Sequence, residues 1–223
     1  MISVTILVKN SQKYIERVIQ ALAPFDEVLV YDTGSSDSTI ELARKFPNVH
    51  IHSGPFIGFG PTHNEATSQA KNDWILSIDS DEVATSELVE EIKSLQLDEG
   101  SVYSCWRKNF YDGKFIKGCG WYPDRQVKLY NRRKTKFTDA MVHEAIITKN
   151  MKIVSLSSPL EHFPYEKISD FLQKMQSYSS LFAEQYAGKR KSSLFSAIGH
   201  GFWAFFKSYL VKQGFLLGRQ GFI

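Results

Sequence analysis

The chain has 223 residues, 43% hydrophobic and 13% aromatic, with a net charge of +3, which is enough for one large domain or for one domain with an appendage. Its two cysteines, Cys105 and Cys119, match no metal-knuckle spacing and exclude a disulfide framework, so reduced thiols in the cytoplasm are expected. The opening MISVTILVKN turns polar too soon for a signal peptide, and no uninterrupted apolar run approaches the roughly 18 residues of a membrane span.

The first half alternates strands and helices. Residues 2–8 (ISVTILV) read as a strand, and Ile15, Val18, Ile19 and Leu22 then fall on one helical face. A second strand, EVLVY, breaks at DTGSSDST (32–39), a loop of small and capping residues. Ile40, Ala43 and Phe46 give a helical face, and Val49 to His52 a third strand. The Gly/Pro loop GPFIGFGP (54–61) leads into a helix, with Pro61 in its first turn, running to about Lys71. The strand WILSI follows, then a helix capped by Ser86 with Leu88, Ile92 and Leu95 inward. This rhythm predicts an α/β fold with a parallel sheet covered on both faces. From about residue 100 the pattern turns antiparallel: Asp112-Gly113 is a hairpin signal, and Val127 to Tyr130 and Ala145 to Thr148 are further strand candidates. From Ile168 onward the pattern is helical again.

Open parallel sheets bind ligands at the carboxyl ends of their strands. Two acidic loops stand at such ends here: the one opened by Asp32, and Asp79-Ser80-Asp81-Glu82. Carboxylates clustered after an apolar strand repel one another unless a cation sits among them. In an extended segment Asp79 and Asp81 point the same way, and hard oxygen donors of this kind suit Mg²⁺ or Mn²⁺ shared with a diphosphate. Against this, Asp32 also reads as a plain Asx-turn residue, Asp37 as a helix cap, and His52 as a strand-end residue with no special role.

Together the motifs VTILVKN, DEVLVYDTGSSDST, GFGPTHNEA, DWILSIDSDE, WYPDRQVKLYNR, VHE and YLVKQGFLLGRQGF resemble glycosyltransferase family 2. More narrowly, they resemble the bacterial lipopolysaccharide core β-glucosyltransferases. The resemblance covers nearly the whole chain. It implies a GT-A fold, a Rossmann-like mixed sheet with helices on both faces, over residues 1–160. Residues 1–99 would form the nucleotide-sugar half and 100–160 the acceptor half, with 161–223 a helical tail. It implies that the Asp32 loop, with Val8 and Asn10 of the first motif, holds the nucleotide of a UDP-sugar, glucose being the sugar of the resembled enzymes. Asn64 would border that site, Asp79 would meet ribose or metal, and Asp81 would be the direct ligand of Mn²⁺ or Mg²⁺. Two departures stand out: Ser11 and Gln12 occupy positions that are commonly acidic, and His63 one that is commonly basic.

An inverting transfer needs a carboxylate outside the metal cluster to take the acceptor hydroxyl's proton. Asp124, behind two aromatics and Pro123, and Glu144, beside His143, are the two candidates; His143 is also a candidate extra metal ligand. The bland readings are an Asp124 ion pair with Arg107 or Arg125, and a strand-end charge at Glu144. A sugar nucleotidyltransferase is the rival enzyme class, but residues 2–13 lack the glycine-rich loop such enzymes use. A non-catalytic saccharide- or lipid-binding relative is the other alternative.

After Glu184 there is no Asp or Glu, while Lys189, Arg190, Lys191, Lys207, Lys212 and Arg219 supply six positive charges, leaving −3 (+3 minus +6) for the rest. Large apolar residues from Leu194 to Leu210 follow the basic cluster. They read either as a helix packed on the enzyme's own core or as an interfacial helix on an anionic inner membrane. The expected partners are a nucleotide-sugar donor, a saccharide or lipid-linked saccharide acceptor and that membrane surface, with no nucleic acid. The expected location is the cytoplasm, peripheral on the inner face of the cytoplasmic membrane.

Overall fold

The computed structural model describes residues 1–188 and 193–222. Its strands are β1 (Ile2–Val8), β2 (Glu27–Asp32), β3 (Val49–Ser53), β4 (Trp74–Asp79), β5 (Glu82–Ala84), β6 (Ser101–Tyr111), β7 (Lys114–Phe115), β8 (Arg125–Asn131) and β9 (Lys152–Tyr165). Its α-helices are α1 (Ile15–Ala21), α2 (Thr39–Ala43), α3 (Phe59–Ser68), α4 (Ser86–Ser94), α5 (Ile168–Tyr186), α6 (Leu194–Phe206) and α7 (Arg219–Phe222). Contacts divide the chain into two units: Met1–Trp106 with Arg125–His162, and Arg107–Asp124 with the chain from Phe163 onward.

In the first unit the sheet order is β3-β2-β1-β4-β8-β6-β9-β5. The strands from β3 to β4 are parallel, and β2 is buried along its whole length, as an apolar run in a covered parallel sheet must be. The chain winds outward from β1 to β3 on one side, then returns to β1 and adds β4 on the other. That reversal is the switch point where such sheets open a ligand crevice. The register levels the strand ends there: Val8 pairs with Asp32, and Leu7 with Asp79. Antiparallel β8 then covers β4, with Leu76 opposite Leu129. The core beneath is made by residues such as Leu29, Ala66, Ile75 and Tyr130, whose hydroxyl meets Thr67 Oγ1 at 2.9 Å.

The helix after β5 is capped by Thr85, not Ser86: Thr85 Oγ1 accepts the Leu88 N–H at 3.2 Å. Ala145–Thr148 forms no strand; a single bridge joins Phe137 and Ile146. The long strand β9 is not legible because Pro159 interrupts its run, yet the Pro159 carbonyl is used, accepting from Thr85 Oγ1 at 2.9 Å. The N-terminus of α3 has no side-chain cap. Its Phe59 and Gly60 N–H groups donate instead to the carbonyls of Met141 and Ala140, at 3.2 and 3.1 Å. A Cβ on Gly60 would sit 1.8 Å from the Thr138 carbonyl oxygen, so only glycine permits this approach.

In the second unit β7 pairs with the end of β6 through Asp112 (φ 49°) and Gly113 (φ 71°), the two-residue turn with both φ positive that the sequence signals. Residues 207–222 fold onto the loop holding Cys119: the Cys119 N–H donates to the Lys212 carbonyl at 2.9 Å, and Ser208 Oγ to the Cys119 carbonyl at 3.3 Å. Helix α6 buries none of its residues; Phe195, Phe202 and Trp203 are 87%, 72% and 58% exposed. The basic cluster Lys189-Arg190-Lys191 lies outside the described residues. Among the described residues no helix is long and apolar enough to cross a membrane.

Candidate active site

Three loops leave the level ends of β1, β2 and β4, and short polar side chains lace them together. Asn10, in the left-handed region (φ 54°), donates its N–H to Ser35 Oγ at 3.0 Å and accepts the Ser36 N–H on Oδ1 at 2.8 Å. The Ser11 N–H donates to Thr39 Oγ1 at 2.7 Å, and Ser11 Oγ to Ser80 Oγ at 2.9 Å. Gln12 completes the lacing, donating its N–H to Asp37 Oδ2 at 3.2 Å and accepting the Ser38 N–H at 3.2 Å. Ser11 and Gln12, the two departures in the first loop, are therefore its ties to its neighbours. The Val8 carbonyl accepts from the Thr33 N–H at 3.0 Å. Asp32 makes the Asx-type turn that its sequence allows, accepting the Gly34 and Ser35 N–H groups on Oδ1 at 3.3 and 2.9 Å.

After β4 the chain does not stay extended: Ser80 and Asp81 form a turn, so Asp79 and Asp81 take different partners. Glu82, fully buried, accepts the Asp79 N–H at 2.9 Å. Lys128 of β8 places its Nζ 2.6 Å from Glu82 Oε2 and 3.1 Å from Asp79 Oδ2. A protein cation thus stands among the strand-end acids. Asp81 faces His162 of β9, with Oδ1 3.5 Å from Nε2. Burial pushes the Asp79 carboxyl up, but the Lys128 ammonium leads the charges that outweigh it and hold Asp79 well below the usual carboxylate range.

His63 of α3 lies beneath this group, stacked on Phe137 with centroids 4.4 Å apart. Burial, with Lys128 adding to it and Asp79 opposing, lowers its pKa to about 4, so the ring is neutral where an arginine would be charged. Asn64 pairs with the backbone of Phe137 in both directions, donating to its carbonyl at 3.1 Å and accepting its N–H at 2.9 Å. It thereby anchors the segment that leads to His143 and Glu144. His143 is exposed, with φ 59°, and Glu144 is half-buried. Burial raises the Glu144 pKa; the charge of Asp79 adds to the rise, while Lys128 and His143 oppose it. Asp124 belongs to the second unit. Its Oδ2 accepts Arg107 Nε–H at 2.7 Å and Asn109 Nδ2–H at 3.2 Å, the Arg107 ion pair that its sequence allows.

Among the described residues no three His, Cys, Asp or Glu side chains gather into a metal-holding group. Asp81 supplies one hard carboxylate oxygen donor at the strand end, the kind of donor a divalent cation uses when phosphate oxygens complete its shell. Sequence reasoning missed Lys128 and His162. Lys128 left a signal, since a lysine inside the apolar strand VKLY requires an acidic partner.

A mixed sheet with laced loops at its switch point and acids closing its fourth strand defines an α/β protein of the class whose ligand crevice opens at the strand ends. The chain matches the model of Glycosyl transferase family 2 over residues 3–152, and it belongs to that family. It is 27% identical over 236 residues to an uncharacterized glycosyltransferase of Rickettsia typhi, covering 100% of this chain and 80% of the relative. It is 25% identical over 201 residues to the lipopolysaccharide core biosynthesis glycosyltransferase LpsC of Rhizobium meliloti, covering 85% of this chain and 73% of LpsC. Among solved structures, Staphylococcus aureus TarS 1–349 in complex with UDP-GlcNAc shares the GT-A fold, with TM-score 0.54 and 19% identity over 82% of this chain and 66% of that one.

Proposed function

We propose that the protein is a metal-dependent inverting glycosyltransferase that moves a hexose, glucose by preference, from a UDP-sugar to a lipopolysaccharide core or another lipid-linked saccharide. The observation that carries this reading is the level alignment of Val8, Asp32 and Asp79 at the switch point, with their loops tied into one surface. The nucleotide lies across that surface, against Val8, Asn10 and Asp32, while Asp79 meets the ribose or the metal. Asn64 acts by holding the 137–144 segment against α3. Asp81, with His162, and His143 from the other loop, would hold Mn²⁺ or Mg²⁺, which when bound neutralises charge on the leaving diphosphate.

The base must be ionised to accept the acceptor's proton. Asp124 is the first candidate, a carboxylate held in place by Arg107 Nε–H and Asn109 Nδ2–H and standing outside the strand-end acids. Glu144 is the second candidate, supported by its place within the field of Asp79 and by its raised pKa. The relative LpsC supports a core-saccharide acceptor. The exposed aromatics of α6, followed by Lys207, Lys212 and Arg219, support docking on the anionic inner face of the cytoplasmic membrane.

The test is a panel of nucleotide sugars with Mn²⁺, followed by release of free nucleoside diphosphate. Turnover of a UDP-hexose, faster with a saccharide acceptor and abolished by EDTA, is expected. No turnover of any UDP-sugar, together with no UDP binding, would overturn the reading.

A further inference from the structure

The loop between β7 and β8 holds two successive residues in the left-handed region, Cys119 at φ 57° and Gly120 at φ 80°. A cysteine adopts that conformation at a cost, and it persists where surrounding contacts over-determine it. Here those contacts come from the segment 207–222. The Cys119 N–H donates to the Lys212 carbonyl at 2.9 Å, its carbonyl accepts from Ser208 Oγ at 3.3 Å, and its thiol donates to the Gly221 carbonyl at 3.6 Å. The approach leaves no room for a side chain, since a Cβ on Gly214 would sit 2.8 Å from Cys119 Sγ. The same loop is pinned again further on. The Trp121 N–H donates to the Gly118 carbonyl at 3.0 Å. Asn109, 6% exposed, donates Nδ2–H to the Trp121 carbonyl at 2.7 Å and to Asp124 Oδ2 at 3.2 Å. Arg107 donates its backbone N–H to the Asp124 carbonyl and its Nε–H to Asp124 Oδ2, each at 2.7 Å. All of these residues belong to the second unit.

We propose that the segment 207–222 is a positioning element for Asp124, acting through Cys119. The inference rests on the reading of Asp124 as the base and adds to it the segment that sets where that carboxylate stands. Arg107 and Asn109 set the Asp124 end of the loop, while the Gly118–Gly120 end, with its two glycines, takes its conformation from the clamp on Cys119. A base works only within hydrogen-bond reach of the acceptor hydroxyl, and a displacement of about 1 Å costs up to roughly a hundredfold in rate. Val8, Asn10, Asp32 and Asp79, the residues read as donor-binding, belong to the first unit, so loosening the clamp should spare nucleotide binding.

The experiment uses the full chain with UDP-glucose as donor and, as acceptor, core oligosaccharide freed of its lipid. Vesicles and detergent are left out, so membrane docking does not enter. Cys119→Ala/Ser208→Ala removes two of the three ties and introduces no new group; Gly214→Ala loosens the same contact from the other side. In each variant the kcat of transfer is expected to fall by about tenfold or more, while the KM for UDP-glucose and the affinity for UDP stay within about twofold of wild type. In an Asp124→Asn background either change should lower transfer by less than about twofold further, because the carboxylate it positions is already gone. A merely structural role of the segment would lower both backgrounds alike. Transfer within about twofold of wild type in both variants, equal losses with and without Asp124, or a parallel loss of UDP affinity would each overturn the inference. No transfer by the wild type, or full transfer by Asp124→Asn alone, would instead remove the parent reading.

Discussion

Neutralising the three described basic residues that follow α6, in the variant Lys207→Gln/Lys212→Gln/Arg219→Gln, should weaken binding to anionic vesicles and leave binding to neutral ones nearly unchanged. All three side chains are exposed, so none is needed for packing. Each basic residue near an anionic surface contributes about 1 kcal/mol, so the triple change removes about 3 kcal/mol, roughly a hundredfold in partition. The apolar contribution comes from α6 itself. Leu194, Phe195, Ile198, Phe202 and Trp203 are each more than half exposed, and no acid lies among them to oppose insertion. Phe202→Ser with Trp203→Ser should therefore lower partition onto both kinds of vesicle. Co-sedimentation with vesicles of each composition, at low and high salt, separates the two contributions, because salt shortens the screening length from about 10 Å at 0.1 M to about 3 Å at 1 M. Substitution is the cleaner perturbation than truncation, since residues 207–222 pack on the Cys119 loop and their removal would uncover it. Equal partition of the wild type onto anionic and neutral vesicles, or no partition onto either, would refute the reasoning.

Asp81→Asn should leave the thermal melt unchanged and lower UDP-sugar turnover by two or more orders of magnitude, the several kcal/mol that a bound cation gives a leaving diphosphate. Asp124→Asn should lower transfer by roughly 10²–10⁴-fold while UDP affinity stays near wild type; the same pattern in Glu144→Gln instead would move the base to Glu144. His63 folds neutral with a pKa of about 4 against 6.5 unfolded. The unfolded chain therefore binds more protons between those values, and stability falls as pH drops through the window, by about 2 kcal/mol at pH 5. Urea titrations at pH 7 and pH 5 should show that loss in the wild type and a smaller one in His63→Phe. Gly60→Ala forces a Cβ to within 1.8 Å of the Thr138 oxygen. It should cost about 3 kcal/mol or more, roughly 6–12 °C in Tm by calorimetry.

The parallel half of the fold was legible because its inner strands β1, β2 and β4 are buried on both faces. That forces apolar runs such as EVLVY and WILSI, and it leaves the strand ends marked by Asp32 and Asp79. The hairpin at Asp112-Gly113 was equally plain, since few residue pairs accept two positive φ angles. What stayed hidden depends on contacts distant in sequence. Nothing local in β9 announces a 14-residue strand across Ser157-Ser158-Pro159. Nothing local at Ser11 says that it meets Ser80, 69 residues on. The turn at Ser80-Asp81 was masked by the strand before it, which invites the eye to continue the extended chain. Family resemblance supplied roles for single positions, but it was silent on Lys128, whose meaning comes only from the antiparallel pairing of β8 with β4.

The lacing of the three loops bears on how this protein's substrate range can change. Asn10, Ser11, Gln12, Ser35, Ser36, Thr39 and Ser80 form one linked set, because each side chain has its partner on another loop. The loop after β1 is the hub, tied to both others, so grafting it alone breaks ties to both, whereas grafting either of the others breaks only its ties to residues 10–12. Grafting all three together preserves the knot. Re-engineering of this surface is therefore best run on the three loops as a single library, with the side chains that take no part in the lacing varied first.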